Sequence, residues 1–255
     1  MIQVFASDYD GTLFRNSEVS PKDLEAIKAF QALGHKFGIV TGRTIHSICA
    51  EIDKFGIPVD FIVGINGGVV LSHDYQELFI SDLNQNVVDT MIADLEAFGV
   101  SFYGVNDGYR LSRVVMDASI QPVTPNIPLT DLSDLKNDGG VQALYVVTPS
   151  QDRALGLTNY INNKYCDFGV VAYQNVSAVD IGMRGISKAT GLQKIIDYYH
   201  FDGPIYTMGD SYNDIPMIKA FCGFVVSEGE PSVKAMGIAD FPSVGDAIGS
   251  LLDKK

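Results

Sequence analysis

The sequence predicts an α/β fold in which helices cover a parallel sheet and a smaller α+β unit interrupts the chain. Toward both ends, apolar segments of strand length alternate with amphipathic helical segments, an order typical of parallel sheets. In the middle, helical segments are instead followed by pairs of short strands, which is typical of antiparallel hairpins. The simplest arrangement is one parallel core split by an insertion.

The first third of the chain predicts the order strand, helix, strand, helix, strand. The apolar run Ile2–Ser7 ends at acidic residues and suits a buried parallel strand. Ser20 and Pro21 begin a helix, because Ser is a favoured N-cap and Pro a favoured first residue, and Gly34 ends it. The predicted apolar face of this helix comprises Leu24, Ile27, Phe30 and Leu33. The next predicted elements are strand Lys36–Val40, helix Ile45–Phe55 and strand Phe61–Ile65.

The middle of the chain contains a weak internal repeat of one helix and two strands. The first copy comprises helix Gln85–Phe98 with strands Val100–Val105 and Tyr109–Ser112. After a strand at Val141–Thr148, the second copy comprises helix Gln151–Tyr165 with strands Phe168–Tyr173 and Ala178–Ile181. Residues 114–140 contain Pro, Gly and many polar residues and receive no assignment.

Strand and helix alternation resumes near the C-terminus. The predicted elements there are helix Lys188–Tyr199, strand Ile205–Met208, a helix near Asp214–Lys219 and strand Phe224–Val226. We therefore predict a core formed by residues 1–81 and 186–255, with an inserted cap at 82–185.

Composition disfavours several classes of partner. A net charge of −13 disfavours nucleic acid and anionic membranes, since both attract basic surfaces. Apolar runs stay well below the roughly 18 residues that cross a membrane, and the N-terminus lacks the basic region of a signal peptide. Three cysteines without paired spacing suggest reduced thiols, so we expect a cytoplasmic protein. A monomer and a homodimer are equally compatible with the sequence.

Two aspartates, Asp8 and Asp10, directly follow the first predicted strand. Ligands of open parallel sheets bind beyond the carboxyl ends of the strands, and residues two apart in extended chain point the same way. One carboxylate can therefore act as a nucleophile while the other transfers a proton. The alternative is a turn rich in solvated acids.

A carboxylate that attacks a phosphate dianion needs a cation. At ~3.5 Å and an effective dielectric near 20, the repulsion is about 9 kcal/mol, which would cost more than about six powers of ten in rate. Bound Mg²⁺ would remove most of it, because this ion prefers carboxylate, carbonyl and water oxygens. Asp210 and Asp214 follow another predicted strand and would share one face of a helix. The alternative is an acidic cluster that caps that helix.

The phosphate would need hydrogen-bond donors, and two segments offer them. Thr41, Gly42 and Arg43 follow the second predicted strand with a hydroxyl, an open backbone N–H and a guanidinium. A plain turn between strand and helix is the alternative. Lys188 follows Ser187 at a helix N-terminus, where the helix dipole disfavours a cation, which suggests that it serves an anion. A solvated surface lysine is the alternative there.

These segments in this order resemble the haloacid dehalogenase-like hydrolase superfamily. The match is to DxDGT (Asp8 to Thr12), a Thr or Ser after the second strand, a lysine, and GDxxND (Gly209 to Asp214). The long insertion is similar in place and size to the cap of the Cof-type phosphatases. The resemblance implies a Rossmann-like parallel sheet core with an inserted α+β cap domain that determines substrate specificity.

The resemblance also implies a role for each matching residue. Asp8 would be the nucleophile that forms an aspartyl-phosphate, and Asp10 would protonate the leaving alcohol and then activate water. The implied Mg²⁺ ligands are the Asp8 carboxylate, the Asp10 backbone carbonyl and Asp210, with Asp214 in support. Phosphate would be bound by Thr41 and Lys188, assisted by Gly42 or Arg43, while Asn213 would orient neighbouring groups.

Asn66 and Gly67 resemble a segment that lies near the substrate in the same subfamily. Asn-Gly between apolar runs is also a hairpin signal, and the two interpretations are equally supported.

The expected enzyme is a Mg²⁺-dependent phosphoric monoester hydrolase that acts on a small phosphate ester, such as a sugar phosphate or a phosphorylated vitamin. One alternative is a phosphomutase of the phosphomannomutase type, and another is a non-catalytic metabolite-binding regulator. A mutase would need cap cations for a second phosphate; the cap offers Arg110, Arg113, Arg153 and Arg184.

Overall fold

The computed structural model describes residues 1–120, 128–138 and 140–253. The chain forms two compact units with separate hydrophobic cores. Unit 1 comprises Met1–Arg43, Ile48–Phe79 and Ser187–Lys255, and unit 2 comprises Thr44–Ser47 and Ile80–Ile186. The insertion predicted at residues 82–185 lies within the segment Ile80–Ile186 of unit 2.

Unit 1 is built on an eight-stranded sheet with the order β15-β14-β13-β1-β4-β5-β6-β7. Its strands are β1 Val4–Ser7, β4 Lys36–Val40, β5 Phe61–Gly64, β6 Val69–Leu71, β7 Glu77–Ile80, β13 Ile205–Gly209, β14 Cys222–Val226 and β15 Ala239–Phe241. From β15 to β5 all neighbours pair in parallel, whereas β6 is antiparallel to β5. A short antiparallel pair, β2 Phe14–Arg15 and β3 Glu18–Val19, follows β1.

Serine side chains cap the N-termini of several helices of unit 1. The helices of this unit are α1 Pro21–Ala32, α2 Ile45–Phe55, α6 Lys188–Tyr199, α7 Ile215–Ala220, α8 Pro231–Lys234 and α9 Val244–Leu252. Residues 45–47 of α2 belong to unit 2. Ser20 caps α1 by accepting a hydrogen bond from the Asp23 N–H, as the sequence predicts. Ile27 and Phe30 of α1 are fully buried. The prediction that Leu33 belongs to the same apolar face is wrong. Leu33 lies just after the helix and is half-exposed, because the helix ends one residue before it.

The parallel strands bring four loops to one edge of the sheet. Ser7, the last residue of β1, pairs with Met208 of β13 on one side and with Ile39 of β4 on the other. The residues that follow these strands, and those that follow β5, therefore leave the sheet together. The strands themselves are buried on both faces, which explains their continuous apolar sequences.

Unit 2 is an antiparallel sheet covered on one face by helices. Its strands are β8 Phe102–Asn106, β9 Leu111–Val115, β10 Ala143–Val147, β11 Val170–Asn175 and β12 Ala178–Met183, in the order β11-β12-β10-β8-β9. Its helices are α3 Gln85–Phe98, α4 Leu132–Asp138 and α5 Gln151–Lys164. Alternate strand residues such as Val105, Val146 and Ile181 pack against α3 and α5 to form the core of this unit. The predicted repeat is present as α3-β8-β9 and α5-β11-β12.

The fold class is confirmed as a mixed α/β structure with a large, mainly parallel sheet and an α+β insertion. Several short elements are absent from the sequence prediction, namely β2, β3, β6, β7, β15, α4, α8 and α9. The unassigned segment 114–140 contains the end of β9 and all of α4, while its residues 121–127 and 139 lie outside the described part of the chain. Among the described helices, none combines the length and apolarity needed to span a bilayer.

Candidate active site

Three predicted carboxylates meet at the edge of the unit 1 sheet. Asp8, Asp210 and Asp214 each offer an oxygen within 4.8 Å of the other two. Asp8 and Asp214 are almost fully buried, and Asp210 is partly buried. The sheet explains the convergence, since Asp8 follows β1 and Asp210 follows the neighbouring strand β13.

Lys188 is the counter-charge inside this cluster. Its Nζ lies 2.5 Å from Asp8 Oδ1 and 2.6 Å from Asp214 Oδ1, and the side chain is 1% exposed. Burial alone would lower the pKa of the ammonium, but the carboxylates of Asp214 and Asp8 outweigh it and raise the pKa of Lys188 above its ordinary value. The lysine predicted to serve an anion at a helix N-terminus is thus a charged group between two buried acids.

The contact with Lys188 does not fully offset the cost of burying the ionised Asp8 carboxylate beside other acids. Burial, together with repulsion from Asp214 and Asp210, raises the pKa of its carboxyl well above the ordinary value. Within the part of the chain that the structure describes, Asp8 Oδ2 is buried without a hydrogen-bond partner. A desolvated, unpartnered oxygen beside two further carboxylates fits a divalent cation that prefers oxygen ligands.

Asp214 organises the loop after β13. Its Oδ2 accepts hydrogen bonds from the N–H groups of Asp210 and Ser211, each at 3.0 Å, while its Oδ1 accepts from Lys188. Both oxygens are therefore already engaged. Gly209 makes this approach possible, because a Cβ at that position would lie 2.4 Å from the Asp214 side chain.

The second glycine of the cluster is Gly11, which follows Asp10. It has a φ of 84°, and a Cβ there would lie 2.6 Å from Asp210 Oδ2. A glycine is therefore needed both for the turn and for the close approach of Asp210. Thr12, fully buried, donates a hydrogen bond to Asp210 Oδ1 at 3.0 Å. Burial followed by repulsion from Asp214 raises the pKa of Asp210.

The donors predicted for phosphate lie in neighbouring loops. Thr41 is 1% exposed, and its hydroxyl accepts a hydrogen bond from the Arg43 N–H at 3.1 Å. A Cβ on Gly42 would lie 3.2 Å from Asn66 Oδ1, and the same oxygen accepts a hydrogen bond from Asn213 Nδ2 at 3.1 Å. Asn66 thus lies between the loop after β4 and the loop after β13.

Asn66 and Gly67 also form the turn of a hairpin. They belong to a single 3-10 turn, Ile65–Gly67, that joins the antiparallel strands β5 and β6. Gly67 has a φ of 104°, and a Cβ there would lie 2.1 Å from the carbonyl oxygen of Ser187. Gly67 thus allows this turn to pack closely against Ser187, which caps α6 and precedes Lys188.

Asp10 has a different environment from Asp8. Its side chain is 52% exposed and receives two hydrogen bonds from Arg43, from Nε to Oδ2 at 2.7 Å and from Nη2 to Oδ1 at 2.6 Å. The guanidinium lies over the ring of Tyr9, whose hydroxyl donates to Glu51 Oε2 at 2.7 Å. The structure therefore brings Arg43 to Asp10, whereas the sequence suggested phosphate as its partner.

Sequence reasoning missed Thr12, Tyr9 and Glu51 as members of the site. Thr12 and Tyr9 belong to the motif that identified Asp8, so their position was a usable signal. Glu51 lies on α2, 42 residues from Tyr9, and the sequence carries no signal that links the two.

Comparison with known proteins places this geometry in a family context. Residues 5–241 match the family model of haloacid dehalogenase-like hydrolases. A Metamycoplasma hominis protein from the upp 3' region is 29% identical over 253 residues, which are 91% of this chain and 88% of that protein. YitU of Bacillus subtilis strain 168, a 5-amino-6-(5-phospho-D-ribitylamino)uracil phosphatase, is 25% identical over 252 residues, covering 91% and 88%.

A solved structure supports the same fold. BT1666 of Bacteroides thetaiotaomicron, studied among phosphatases of the haloalkanoate enzyme superfamily, superposes with a TM-score of 0.83. The match covers 99% of this chain and 95% of that chain at 22% identity.

Proposed function

The chain belongs to the haloacid dehalogenase-like hydrolases, and from that membership we propose that it is a Mg²⁺-dependent phosphatase whose nucleophile is Asp8. The expected enzyme class, a phosphoric monoester hydrolase, agrees with the family. The observation that carries the proposal is the environment of Asp8: a buried carboxylate with one unpartnered oxygen, held by Lys188 beside two further acids. Buried carboxylate oxygens are usually hydrogen-bonded, so an unpartnered one beside two further acids is available to a cation.

Phosphoryl transfer would proceed in two steps. The Asp8 carboxylate attacks phosphorus, the bond from phosphorus to the leaving oxygen breaks, and Asp10 gives that oxygen a proton. A water then attacks the aspartyl-phosphate, Asp10 takes its proton, and phosphate leaves while the Asp8 carboxylate is restored. The exposure of Asp10 suits this exchange, because a proton carrier must reach both the leaving group and water.

The acidic cluster would hold the Mg²⁺ ion. Asp8 and Asp210 would supply carboxylate oxygens and Asp10 its backbone carbonyl. Asp214 would support the site from behind, since both of its oxygens already accept hydrogen bonds. When bound, Mg²⁺ supplies positive charge that offsets the repulsion between carboxylate and phosphate. We also propose that Lys188 neutralises charge on the phosphoryl oxygens, from its position between two acids.

Thr41 and Gly42 would donate hydrogen bonds to the phosphoryl group. Thr41 is supported by its burial and its position after β4, beside the strand that precedes Asp8. Asn213 would fix Asn66, to which it donates a hydrogen bond, and so orient the loop that follows β5. Gly67 would act through packing against Ser187.

We propose that the substrate is a small phosphomonoester chosen by a cap at residues 82–185, within unit 2. The substrate for which the Bacillus subtilis relative is named is a phosphate ester on a ribityl chain, which supports a phosphorylated sugar, polyol or vitamin. A cytoplasmic location fits the three cysteines, all free thiols. The net charge of −13 supports the expectation that nucleic acid and membranes are not partners.

A phosphatase screen tests the proposal directly. Release of phosphate from a panel of sugar phosphates, polyol phosphates and phosphorylated vitamins would be measured with Mg²⁺ and with EDTA. We expect Mg²⁺-dependent release that Asp8→Asn abolishes. No turnover on any member with Mg²⁺ present would overturn the proposal and favour the binding regulator.

Two of the four cap arginines that a phosphomutase could use already have partners within unit 2. Of the four cap arginines, Arg110 forms an ion pair with Asp107 at 2.7 Å, and Arg153 donates to the carbonyl of Phe98 and lies over its ring. The same assay distinguishes the two reactions, since a mutase would form an isomeric sugar phosphate without stoichiometric release of phosphate.

A further inference from the structure

The planar guanidinium of Arg43 binds the carboxylate of Asp10 through two hydrogen bonds. Two nitrogens of the guanidinium meet two oxygens of the carboxylate at 2.7 Å and 2.6 Å, the bidentate geometry that fixes a carboxylate in one orientation. An exposed ion pair of this kind adds little to stability. Its main physical effect at the half-exposed Asp10 is therefore to select one rotamer.

Arg43 is itself held on three sides. Its Cζ lies 4.8 Å from the centre of the Tyr9 ring, which is fully buried and stacked on Phe14. Its Nη1 lies 3.7 Å from Glu51 Oε1, while Glu51 Oε2 accepts the Tyr9 hydroxyl at 2.7 Å. The backbone is fixed as well, because the Arg43 N–H donates to the Thr41 hydroxyl.

Building on the proposed function, we propose that Arg43 is a positioning residue that orients Asp10 for proton transfer, and that Tyr9 and Glu51 hold Arg43 in place. Each Asp10 oxygen accepts one N–H and keeps a further lone pair, so it can still exchange a proton with the leaving group or with water. The guanidinium would therefore fix the orientation of the Asp10 carboxylate and leave a lone pair on each oxygen free for proton transfer.

The competing role for Arg43 is direct binding of the phosphoryl group. The geometry favours positioning, since Nε, Nη2 and Nη1 all face carboxylates of Asp10 and Glu51. The two roles predict different kinetics. A phosphate-binding arginine assists every substrate equally, whereas a residue that aims the proton donor matters most for a leaving group that needs a proton.

Phenyl phosphate and p-nitrophenyl phosphate make this comparison at nearly constant shape. Phenoxide needs protonation far more than p-nitrophenoxide does. The value of kcat/KM, which reports aspartyl-phosphate formation, would be measured for the wild type and for Arg43→Ala and Arg43→Lys. We expect Arg43→Ala to lower kcat/KM for phenyl phosphate at least about ten-fold more than for p-nitrophenyl phosphate. Lysine keeps the charge but lacks the fork, so it should rescue little.

A double-mutant cycle tests whether Arg43 acts through Asp10. In an Asp10→Asn background, Arg43→Ala should lower the residual kcat/KM for phenyl phosphate by less than about two-fold. Tyr9→Phe, which keeps the ring and removes the hydroxyl, should show the same leaving-group pattern at smaller size, as should Glu51→Gln. Lys28→Ala, which removes an exposed cation of α1, is the control and should change neither substrate.

The outcomes separate this proposal from the proposed function. Equal losses on both substrates, an equally large loss in the Asp10→Asn background, or weaker inhibition by inorganic phosphate in Arg43→Ala would overturn the positioning role alone. An inactive wild type with Mg²⁺ would overturn the phosphatase itself, and the role of Arg43 with it. Far-ultraviolet circular dichroism would verify that each variant is folded, and Arg43→Lys carries the test if the alanine variant is not.

Discussion

Replacing Asp8 by asparagine tests both the charge balance of the cluster and the chemistry. Carboxylates 4.8 Å apart repel by about 3.5 kcal/mol at an effective dielectric of 20, so Asp8 meets at least about 7 kcal/mol from Asp210 and Asp214 together. The 2.5 Å contact with Lys188 offsets about 7 kcal/mol. The Coulomb contributions nearly cancel, which leaves the desolvation of the buried Asp8 carboxylate as a net cost.

We therefore expect Asp8→Asn to raise the free energy of unfolding of the metal-free protein by about 1 to 3 kcal/mol. That corresponds to about 2–4 °C in melting temperature for each kcal/mol. Melting would be followed in EDTA and at increasing Mg²⁺. The wild type should gain more stability from Mg²⁺ than the variant. Its native state keeps the Asp8 carboxylate and should therefore bind the ion more tightly, and a tighter ligand stabilises the native state more.

Two results would refute this reasoning. A variant that melts below the wild type in EDTA would show that the contact with Lys188 outweighs desolvation. A variant that retains wild-type turnover would exclude Asp8 as the nucleophile.

Two further substitutions test packing and charge away from the reacting atoms. Burial raises the pKa of Asp180, on β12, to about 6, so its ionised form opposes folding; Asp180→Asn should raise the free energy of unfolding by about 2 kcal/mol above about pH 7 and by almost nothing below about pH 4. Urea denaturation across that range measures this, and a gain independent of pH would contradict it. Gly67→Ala should lower the free energy of unfolding by about 2–3 kcal/mol, because its Cβ would lie 2.1 Å from the Ser187 carbonyl oxygen at a φ of 104°. Gly34→Ala is the matched control, with a φ of 83° and open space around it, and an equal loss in both variants would mean that only backbone strain matters.

The elements that the sequence predicted well are those with two agreeing signals. Helices α2, α3 and α6 have the predicted bounds, because helical periodicity runs between clear starts and stops. The missed strands β6 and β15 have three residues each. Segments this short hold no period, and their conformation is set by the strands they pair with.

The site could be located from the sequence because parallel strands end at one edge of the sheet. That rule brings Asp8, Thr41 and Asp210 together without any knowledge of side chains. Which group pairs with which depends on rotamers and on residues distant in sequence, so the contact between Arg43 and Asp10 was not foreseen. The pairing of Tyr9 with Glu51 depends on how α2 packs, and periodicity does not encode that.

The position of β1 between β13 and β4 has a consequence for folding order. The contact of Asp8 with Lys188 spans 180 residues, and that of Thr12 with Asp210 spans 198. During synthesis β1 can pair early with β4, but it must wait for its other partner, β13, which is made late. The strands and helices of residues 80–186 have their partners closer in sequence. Because long-range closure is slow, the inserted segment should fold first and the carboxylate cluster should assemble last. A ribosome-bound chain would then acquire the edge that carries the carboxylate cluster in a single late step, after β13 emerges.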